Sequence, residues 1–391
     1  MKRVLHSAID KVYNWKNLAR ASRRVVQKGG SGGVDKMDVK TWKSKEDKHL
    51  ATLRRRLMSN TYRSKPVLRK YIPKPGSKKQ RKLGVPAIVD RVCQQATLNV
   101  LSPVFEEYFH ENSHGFRPER STKSAAKQVE KLRRAGFRIV VDLDIREFFD
   151  RVDREILMRL IRIVVKDRRV LGLIRGWLSA GVMEEGNVRY QTSGTPQGGV
   201  ISPLLSNIYL TVLDNALDEA GYHFVRYADD MAILCRTKEE ALAALETARE
   251  ILAGLKLELN EEKTSVTSFA EGFDFLGFHF TRRYRKIGRK SLLSFYTKVR
   301  EKTMRNQGDR PATAVIEDLN PIIRGWGNYH KEGQNVGMFD KLERWVRKRL
   351  RSYIHKRWSS QTTPTRQEFN QMRLISLRSI IKPRPLQLML S

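Results

Sequence analysis

The four residues Tyr227-Ala228-Asp229-Asp230 stand between two short apolar runs, His223-Phe224-Val225 and Met231-Ala232-Ile233-Leu234-Cys235. Two apolar strands joined by so short a link predict a β-hairpin with adjacent carboxylates at its tip. Acids placed side by side on a tight turn repel each other unless a cation lies between them. Hard divalent cations such as Mg²⁺ take oxygen ligands, and one or two carboxylates plus substrate phosphates suit them. A solvated acidic turn has the same local composition, because surface turns favour Asp. The rest of the chain has to separate the two readings.

Charge gives the first discrimination. The 391 residues include 76 Lys+Arg against 42 Asp+Glu, a net charge of +34. Such an excess destabilises a compact chain by self-repulsion and points to a polyanionic partner. Nucleic acid is the leading candidate and an anionic membrane surface the runner-up. A hydrophobic share of 40% argues against disorder. No apolar run approaches the ~18 residues of a membrane span. The start, Met1 to Asp10, lacks the apolar core of a signal peptide, so a cytoplasmic protein is expected, with association with the nucleoid as a variant. Cys93 and Cys235 lie far apart, which excludes a zinc module built on Cys-x-x-Cys pairs and disfavours a disulfide.

In chain order, residues 4–27 carry apolar residues at helical spacing, and Gly29-Gly30-Ser31-Gly32-Gly33 follows. No Gly-Lys-Ser/Thr ends that run, so it reads as a flexible connection rather than a phosphate loop. A helix is expected over about 46–58. Val67 to Pro73 and Gln80 to Val85 read as the arms of a basic β-ribbon, with Arg69, Lys74, Arg81 and Lys82 crowded on it. A helix is expected over about 88–109, and Ser121 as the cap of another running to about Arg134. Phe137 to Asp144 is a buried strand ending in acids. Side-chain alternation puts Asp142 and Asp144 on the same side and does not choose between them.

Asp153 is expected to cap a helix. After the loop Gly194-Thr195-Pro196-Gln197-Gly198-Gly199, Ser202 reads as an N-cap with Pro203 at the first helical position. A glycine-rich loop feeding a helix N-terminus favours anions. Lys238 to Leu255 reads as a helix, and Leu255, Leu257 and Leu259 as a strand closed by Asn260 to Thr264. Phe273 to Phe280 is an aromatic hairpin. Beyond Thr281 the pattern becomes basic and purely helical, which places a boundary near 284; the clearest helix there runs from Met338 to Trp358.

Antiparallel strands with helices on one face make an α+β sheet. A strand end carrying one acid beside a hairpin tip carrying Asp229 and Asp230 would gather three carboxylates. Such a set can hold two Mg²⁺ ions about 3.5–4 Å apart, the arrangement that serves nucleotidyl transfer. Basic fingers, an anion-friendly loop and a basic helical region supply the substrate contacts that a nucleic-acid polymerase needs.

An ordered set of segments then carries a resemblance. It comprises Ile72-Pro73-Lys74-Pro75, Leu83-Gly84-Val85-Pro86 with Asp90-Arg91-Val92-Cys93-Gln94-Gln95, and Gly115-Phe116-Arg117-Pro118. Val141-Asp142-Leu143-Asp144 with Phe148-Phe149-Asp150 follows, then Gly194 to Gly199 with Ser202-Pro203-Leu204-Leu205-Ser206-Asn207. Arg226-Tyr227-Ala228-Asp229-Asp230, Leu276-Gly277-Phe278 and Gly325-Trp326 complete it. The chain resembles the reverse transcriptases of the group II intron (maturase) family, from about Tyr62 to Trp358.

The resemblance implies a right-hand polymerase, with fingers and palm built on an antiparallel sheet and followed by an α-helical thumb. It divides the chain into an N-terminal helical extension (1–61), fingers and palm (62–284), a thumb or maturase-like region (285–358) and a basic tail (359–391). It implies Asp144, Asp229 and Asp230 as ligands of two Mg²⁺ ions, with Mn²⁺ as a substitute, and Lys263 as an aid to pyrophosphate departure. It places Lys74 and Arg69 near the triphosphate, Phe149 under the sugar, and Pro196 and Gln197 beside the nascent base pair. Phe275, Leu276, Gly277 and Phe278 match the primer grip. Leu68 departs from the pattern, since relatives often carry Arg there. The implied partners are an RNA template, a DNA or RNA primer, dNTPs and structured intron RNA.

No cysteine-paired HNH endonuclease follows the thumb, and the tail is too short for a large DNA-binding domain. An intron using such a protein is expected to prime from existing 3′ ends; the alternative is an intron-derived enzyme serving repair or phage defence. A non-enzymatic RNA chaperone has no use for an acidic cluster among basic surfaces. An RNA-dependent RNA polymerase conflicts with the bulky Phe149.

Overall fold

The computed structural model describes residues 2–73, 80–190, 193–195, 198–304, 306, 310–332, 335–358 and 364–381, with backbone alone at 355–358. It forms two compact units, Met1–Thr267 and Ser268–Ser391, each with its own apolar core.

The first unit opens with α1 (Ile9–Val12), α2 (Trp15–Lys28), α3 (Val39–Ser44) and α4 (Glu46–Met58). Leu18, Ala21 and Val25 of α2 are buried in the same core as Leu50, Leu53 and Leu57 of α4. The glycine run between α2 and α3 is docked, contrary to the flexible connection expected from its composition. A Cβ on Gly33 would lie 2.6 Å from the Ala87 nitrogen, and the Arg91 guanidinium donates to the Ser31 carbonyl. Glycine is used there for close backbone approach.

The basic ribbon is β1 (Val67–Pro73) and β2 (Gln80–Val85), antiparallel with Arg69 opposite Gly84. After α5 (Ile88–Phe105) and α6 (Thr122–Arg134), β3 (Ile139–Leu143) leads into α7 (Phe148–Arg151), α8 (Arg154–Val164) and α9 (Arg168–Ser179). Ser121 caps α6 in a reciprocal capping box with Ser124, Asp153 caps α8 and Asp167 caps α9. A hairpin that the sequence reading did not anticipate, β4 (Val182–Glu184) and β5 (Asn187–Arg189), pairs in parallel with β1. The ribbon sheet, in the order β2-β1-β4-β5, is therefore mixed rather than purely antiparallel. Three-residue strands are too short to carry a periodic signal.

Next come α10 (Ser202–Glu219), β6 (His223–Tyr227), β7 (Asp230–Cys235), α11 (Lys238–Gly254) and β8 (Ser265–Ser268). The central sheet has the order β6-β7-β3-β8. Val141 faces Ile233 and Leu143 faces Met231, so the end of β3 reaches the level of the β6–β7 turn. Two expectations are corrected here. Ser202 is the first residue of α10, with Ile201 at the cap position and no side-chain cap bond, so the helix starts one residue early. Leu255 to Leu259 is no regular strand; only Leu259 forms a bridge, to Ile145, because Leu255 and Leu257 turn into the core as the chain leaves α11.

The second unit begins with β9 (Phe273–Phe275), β10 (Phe278–Phe280) and β11 (Arg285–Ile287), in the order β11-β10-β9. Strand β11 corrects the expectation of purely helical structure beyond Thr281. Its alternating burial was hidden by flanking basic residues. Helices α12 (Arg289–Lys302), α13 (Ala312–His330), α14 (Val336–Trp358), α15 (Arg366–Gln371) and α16 (Leu377–Ile381) follow. The compact division falls between Thr267 and Ser268, whereas the composition shifts near 284. Among the described residues no helix is long and apolar enough to cross a membrane. Both cysteines are buried and free.

His330, 1% exposed, lies in the core of the second unit against Phe278 and Trp326. Burial first, and then Arg285, lowers its pKa from 6.5 to about 4. A folded-state value below the unfolded one gives stability that is present above pH 6.5 and lost as pH falls toward 4. The full shift corresponds to about 3 kcal/mol. The melting temperature should therefore drop between pH 6.5 and 4, and His330→Gln should flatten that drop. Calorimetry across this range checks it; equal slopes for the two proteins would refute the assignment.

Candidate active site

The turn between β6 and β7 carries its acids on an unusual backbone. Ala228 has φ +60, a left-handed conformation that costs a non-glycine residue energy unless neighbours enforce it. The enforcement comes from Arg226, buried at 1% exposure against Asp214 of α10 at 0%. Arg226 Nε donates to Asp214 Oδ1 at 2.6 Å, and Nη2 pairs with Oδ2. Nη1 donates to the Ala228 carbonyl at 2.8 Å and to Asn207 Oδ1 at 3.1 Å. Asn207 in turn donates to the Gly115 carbonyl at 2.8 Å. Gly115 touches the turn directly: a Cβ there would sit 2.3 Å from the Ala228 nitrogen. The Gly115-Phe116-Arg117-Pro118 loop, the Ser206-Asn207 segment and the acidic turn thus form one polar frame.

Asp144 follows the last residue of β3 and is enclosed by the segment after α11. Asn260 Nδ2 donates to Asp144 Oδ2 at 2.9 Å, and Lys263 Nζ reaches Oδ1 at 3.1 Å and Oδ2 at 2.9 Å. The Asn260 N–H also donates to the Asp144 carbonyl at 2.8 Å. The Lys263 side chain is 63% exposed, so its ion pair with Asp144 is a screened surface contact that a competing cation can replace.

The acids sense one another. Burial raises the Asp229 pKa, and Asp144 adds to the rise while Arg81 and Arg226 oppose it. Burial pushes Asp230 up to about 6, with further increments from Asp229, Asp144 and Asp142, again opposed by Arg81. Asp230 is exposed on one side, so solvent screens part of this repulsion. Among the described residues no group of three acidic, His or Cys side chains is already drawn together as a metal centre. The donor set fits a hard cation all the same: carboxylate oxygens that raise one another's pKa are relieved by positive charge placed between them.

The remaining predicted residues fall in three groups. Phe149 lies half-buried in α7, edge-on to the buried Phe148 at 5.2 Å between ring centroids. Arg69 lies in β1 with its Nε buried and without a hydrogen-bond partner among the described residues. Lys74, Pro196 and Gln197 lie outside the described residues. In the second unit, Phe275 and Phe278 are core side chains at 4% and 0% exposure. The turn Leu276-Gly277 between them is the accessible part. Tyr329 hydroxyl donates to the Leu276 carbonyl at 2.9 Å and stacks on Phe278.

Sequence reasoning missed Asp214, Asn207 and Asn260 as parts of the site and gave no special role to Arg226, while Arg81 was expected only among the phosphate-binding residues of the ribbon. Asp214 lies among Leu210, Leu213 and Leu217 on the buried side of α10, which was the available signal. Asp90, quoted for its motif alone, is a structural anchor. It accepts from Tyr62 hydroxyl at 2.6 Å and from the Lys65 N–H at 3.0 Å, and Tyr62 accepts from Trp177 Nε1 at 3.0 Å.

Comparison with known proteins agrees with this geometry. Residues 72–280 match the family described as reverse transcriptase (RNA-dependent DNA polymerase). Residues 292–372 match the group II intron, maturase-specific domain. The chain belongs to the reverse transcriptase family. It is an α+β RNA-directed DNA polymerase of the group II intron type, joined to a maturase-specific domain. It is 34% identical over 318 residues to Protein YkfC of Escherichia coli (strain K12), covering 71% of this chain and 83% of that protein. It is 31% identical over 313 residues to the group II intron-encoded protein LtrA of Lactococcus lactis subsp. cremoris, covering 63% of this chain and 51% of LtrA. The chain therefore spans about half the length of that relative. A solved partial Cas6-RT-Cas1–Cas2 complex overlaps 62% of this chain and 41% of its own at 23% identity and TM-score 0.41, too distant for argument. Reverse transcriptases use divalent metal ions, and membership implies nucleic acid as the partner.

Removing Arg226 alone strands Asp214 as a buried, unpaired charge, a loss of about 3–5 kcal/mol. Replacing both with apolar residues should restore much of the stability but not activity, because the Ala228 carbonyl and Asn207 lose their donor. Urea denaturation and primer extension on Arg226→Met, and on Arg226→Met with Asp214→Leu, test this. Full activity in the double variant would show that the frame does not hold the turn.

Proposed function

We propose that this reverse transcriptase extends a primer 3′-OH with dNTPs on an RNA template, with Asp144, Asp229 and Asp230 as the carboxylates that hold two Mg²⁺ ions. The observation that carries the reading is the pairing of Leu143 with Met231, which brings Asp144 to the level of the Asp229-Asp230 turn at one end of the central sheet, with Arg81 offsetting their charge. When bound, the ions supply charge neutralisation of the triphosphate and acidification of the primer hydroxyl. The protein's own residues do the rest. The Arg226 frame fixes the direction of Asp229 and Asp230. Asn260 orients Asp144, and Lys263 is an exposed cation on Asp144 that would assist departing pyrophosphate. Arg81 and Arg69 on the ribbon, with Lys74, supply donors for the triphosphate. Phe149 lies under the sugar, where a ring excludes a 2′-OH by overlap, and Pro196 and Gln197 belong to the loop beside the base pair.

We further propose that the region from about 285 onward acts as the thumb and that the Leu276-Gly277 turn, supported by the core aromatics Phe275 and Phe278, grips the primer. The maturase-specific match and the likeness to LtrA support binding of structured intron RNA, with help to splicing and mobility as a second role.

Asp229→Asn should reduce primer extension below about a tenth of the wild-type rate, since a lost ligand charge removes several kcal/mol of transition-state stabilisation. RNA affinity should stay near wild type, because Lys and Arg contacts to phosphates dominate it. Rapid-quench extension and filter binding measure the two; robust extension by the variant would dismiss the site. Wild-type RNA binding should also weaken steeply with salt, with a log–log slope of several units. A flat salt titration would contradict phosphate-dominated binding.

A further inference from the structure

The turn after β3 and the loop before α10 are strapped together. Thr195 N–H donates to the Phe149 carbonyl at 2.8 Å and Gly194 N–H to the Val152 carbonyl at 2.9 Å. Ser193 Oγ donates to the Asp150 carbonyl at 3.2 Å. In the opposite direction Arg154 donates from Nε to the Gly194 carbonyl and from Nη2 to the Ser193 carbonyl, both at 3.1 Å. Gly194, at φ +86, has no room for a side chain: a Cβ would meet the Asp150 carbonyl oxygen at 2.9 Å and that of Phe149 at 3.0 Å. Residues 193–195 thus lie directly on the backbone that carries the Phe149 ring.

Further along the same loop, a Cβ on Gly198 would lie 2.7 Å from the Gly84 carbonyl oxygen of β2, and Val200 N–H donates to the buried Gln94 Oε1 at 2.8 Å. Residues 193–195 are therefore seated on the Phe149 turn, and residues 198–200 on β2 and α5.

Arg154 suits this task because its fork presents two donors in a fixed plane to two successive carbonyls, which an ammonium does not do. Its own place is set by α8, whose cap Asp153 accepts from Glu155 N–H at 3.0 Å and Ile156 N–H at 2.9 Å and binds Lys256 at 2.7 Å. A half-buried ring resting on Phe148 discriminates by overlap only if its backbone cannot recede. Displacement of a positioning element by about 1 Å changes rates by up to about a hundredfold.

We propose that Arg154 is a specificity-determining positioning residue: by clamping the Ser193 and Gly194 carbonyls it holds the loop against the Phe149 turn, so that rejection of ribonucleotides requires Arg154 as well as the ring. This rests on the reading of Phe149 as the sugar-contacting aromatic. The role assigned to Arg154 is exerted through the strap.

The test is single-nucleotide extension of a DNA primer on an RNA template by the full chain, with dCTP and CTP, for wild type, Phe149→Val, Arg154→Gln, Arg154→Lys and Phe149→Val/Arg154→Gln. Thermal melting of each protein accompanies it. Arg154→Gln should lower the dCTP/CTP ratio of kcat/KM by about tenfold, mainly through faster CTP incorporation. Arg154→Lys, which keeps charge and stem but not the fork, should lower it nearly as far. The double variant should show no larger loss than Phe149→Val alone, because both act on one element. A purely structural role moves the melting temperature and overall rate while leaving the ratio unchanged. A wild-type ratio in folded Arg154→Lys or Arg154→Gln, with a lowered ratio in Phe149→Val, overturns the clamp and leaves the ring's role standing. An unchanged ratio in Phe149→Val overturns that role and the clamp with it.

Discussion

The acidic turn depends on a buried salt bridge behind it, between Arg226 and Asp214. Arg226 and Asp214 are almost wholly removed from water, and desolvating two charges costs several kcal/mol each unless every donor and acceptor finds a partner. Here the guanidinium divides its donors among the Asp214 carboxylate, Asn207 and the Ala228 carbonyl. The pair thereby converts a strained, left-handed alanine into a defined platform for Asp229 and Asp230. A buried polar network in which every guanidinium nitrogen is bonded specifies one geometry where apolar packing would tolerate several.

The same economy of means recurs across the first unit. Asp90 joins Tyr62, Trp177 and the backbone leading into the ribbon. Asp167 accepts from Ala8 N–H at 2.7 Å and Ile9 N–H at 2.9 Å while capping α9. In each case one buried carboxylate ties distant chain segments together. Gly33, Gly115, Gly194 and Gly198 do the complementary work, letting backbones touch where a methyl group would not fit. The short turn that carries Asp229 and Asp230 is held by such contacts, from Arg226 and Gly115.

A net charge of +34 sits on this framework. Most of it is surface Lys and Arg, which act on a polyanion collectively and weaken together as salt rises. Arg81 differs, since it opposes the pKa rise of both Asp229 and Asp230. It is positive charge placed where negative charge is concentrated, and it lowers the cost of keeping the carboxylates close.

Local pattern alone determined the β6–β7 hairpin, the basic ribbon, the capped helices α6 and α8, and the adjacency of Asp229 and Asp230. Each depends on periodicity or on capping and turn chemistry within a few residues. The ordered motifs also determined the family, because their spacing survives without any contact information. Tertiary structure alone decided the rest. It showed that Asp214 belongs to the site, that a glycine run is docked rather than loose, and that Arg154 straps a loop onto Phe149. It also showed that β4 and β11 exist and that Leu255 to Leu259 is not a regular strand. These outcomes depend on which distant backbone lies within 3 Å, and a buried ion pair or a missing Cβ leaves no periodic trace along the chain. The acids of β3 show the limit most plainly: alternation made Asp142 and Asp144 equivalent, the resemblance pointed to Asp144, and only the fold brings Asn260 and Lys263 onto its carboxylate.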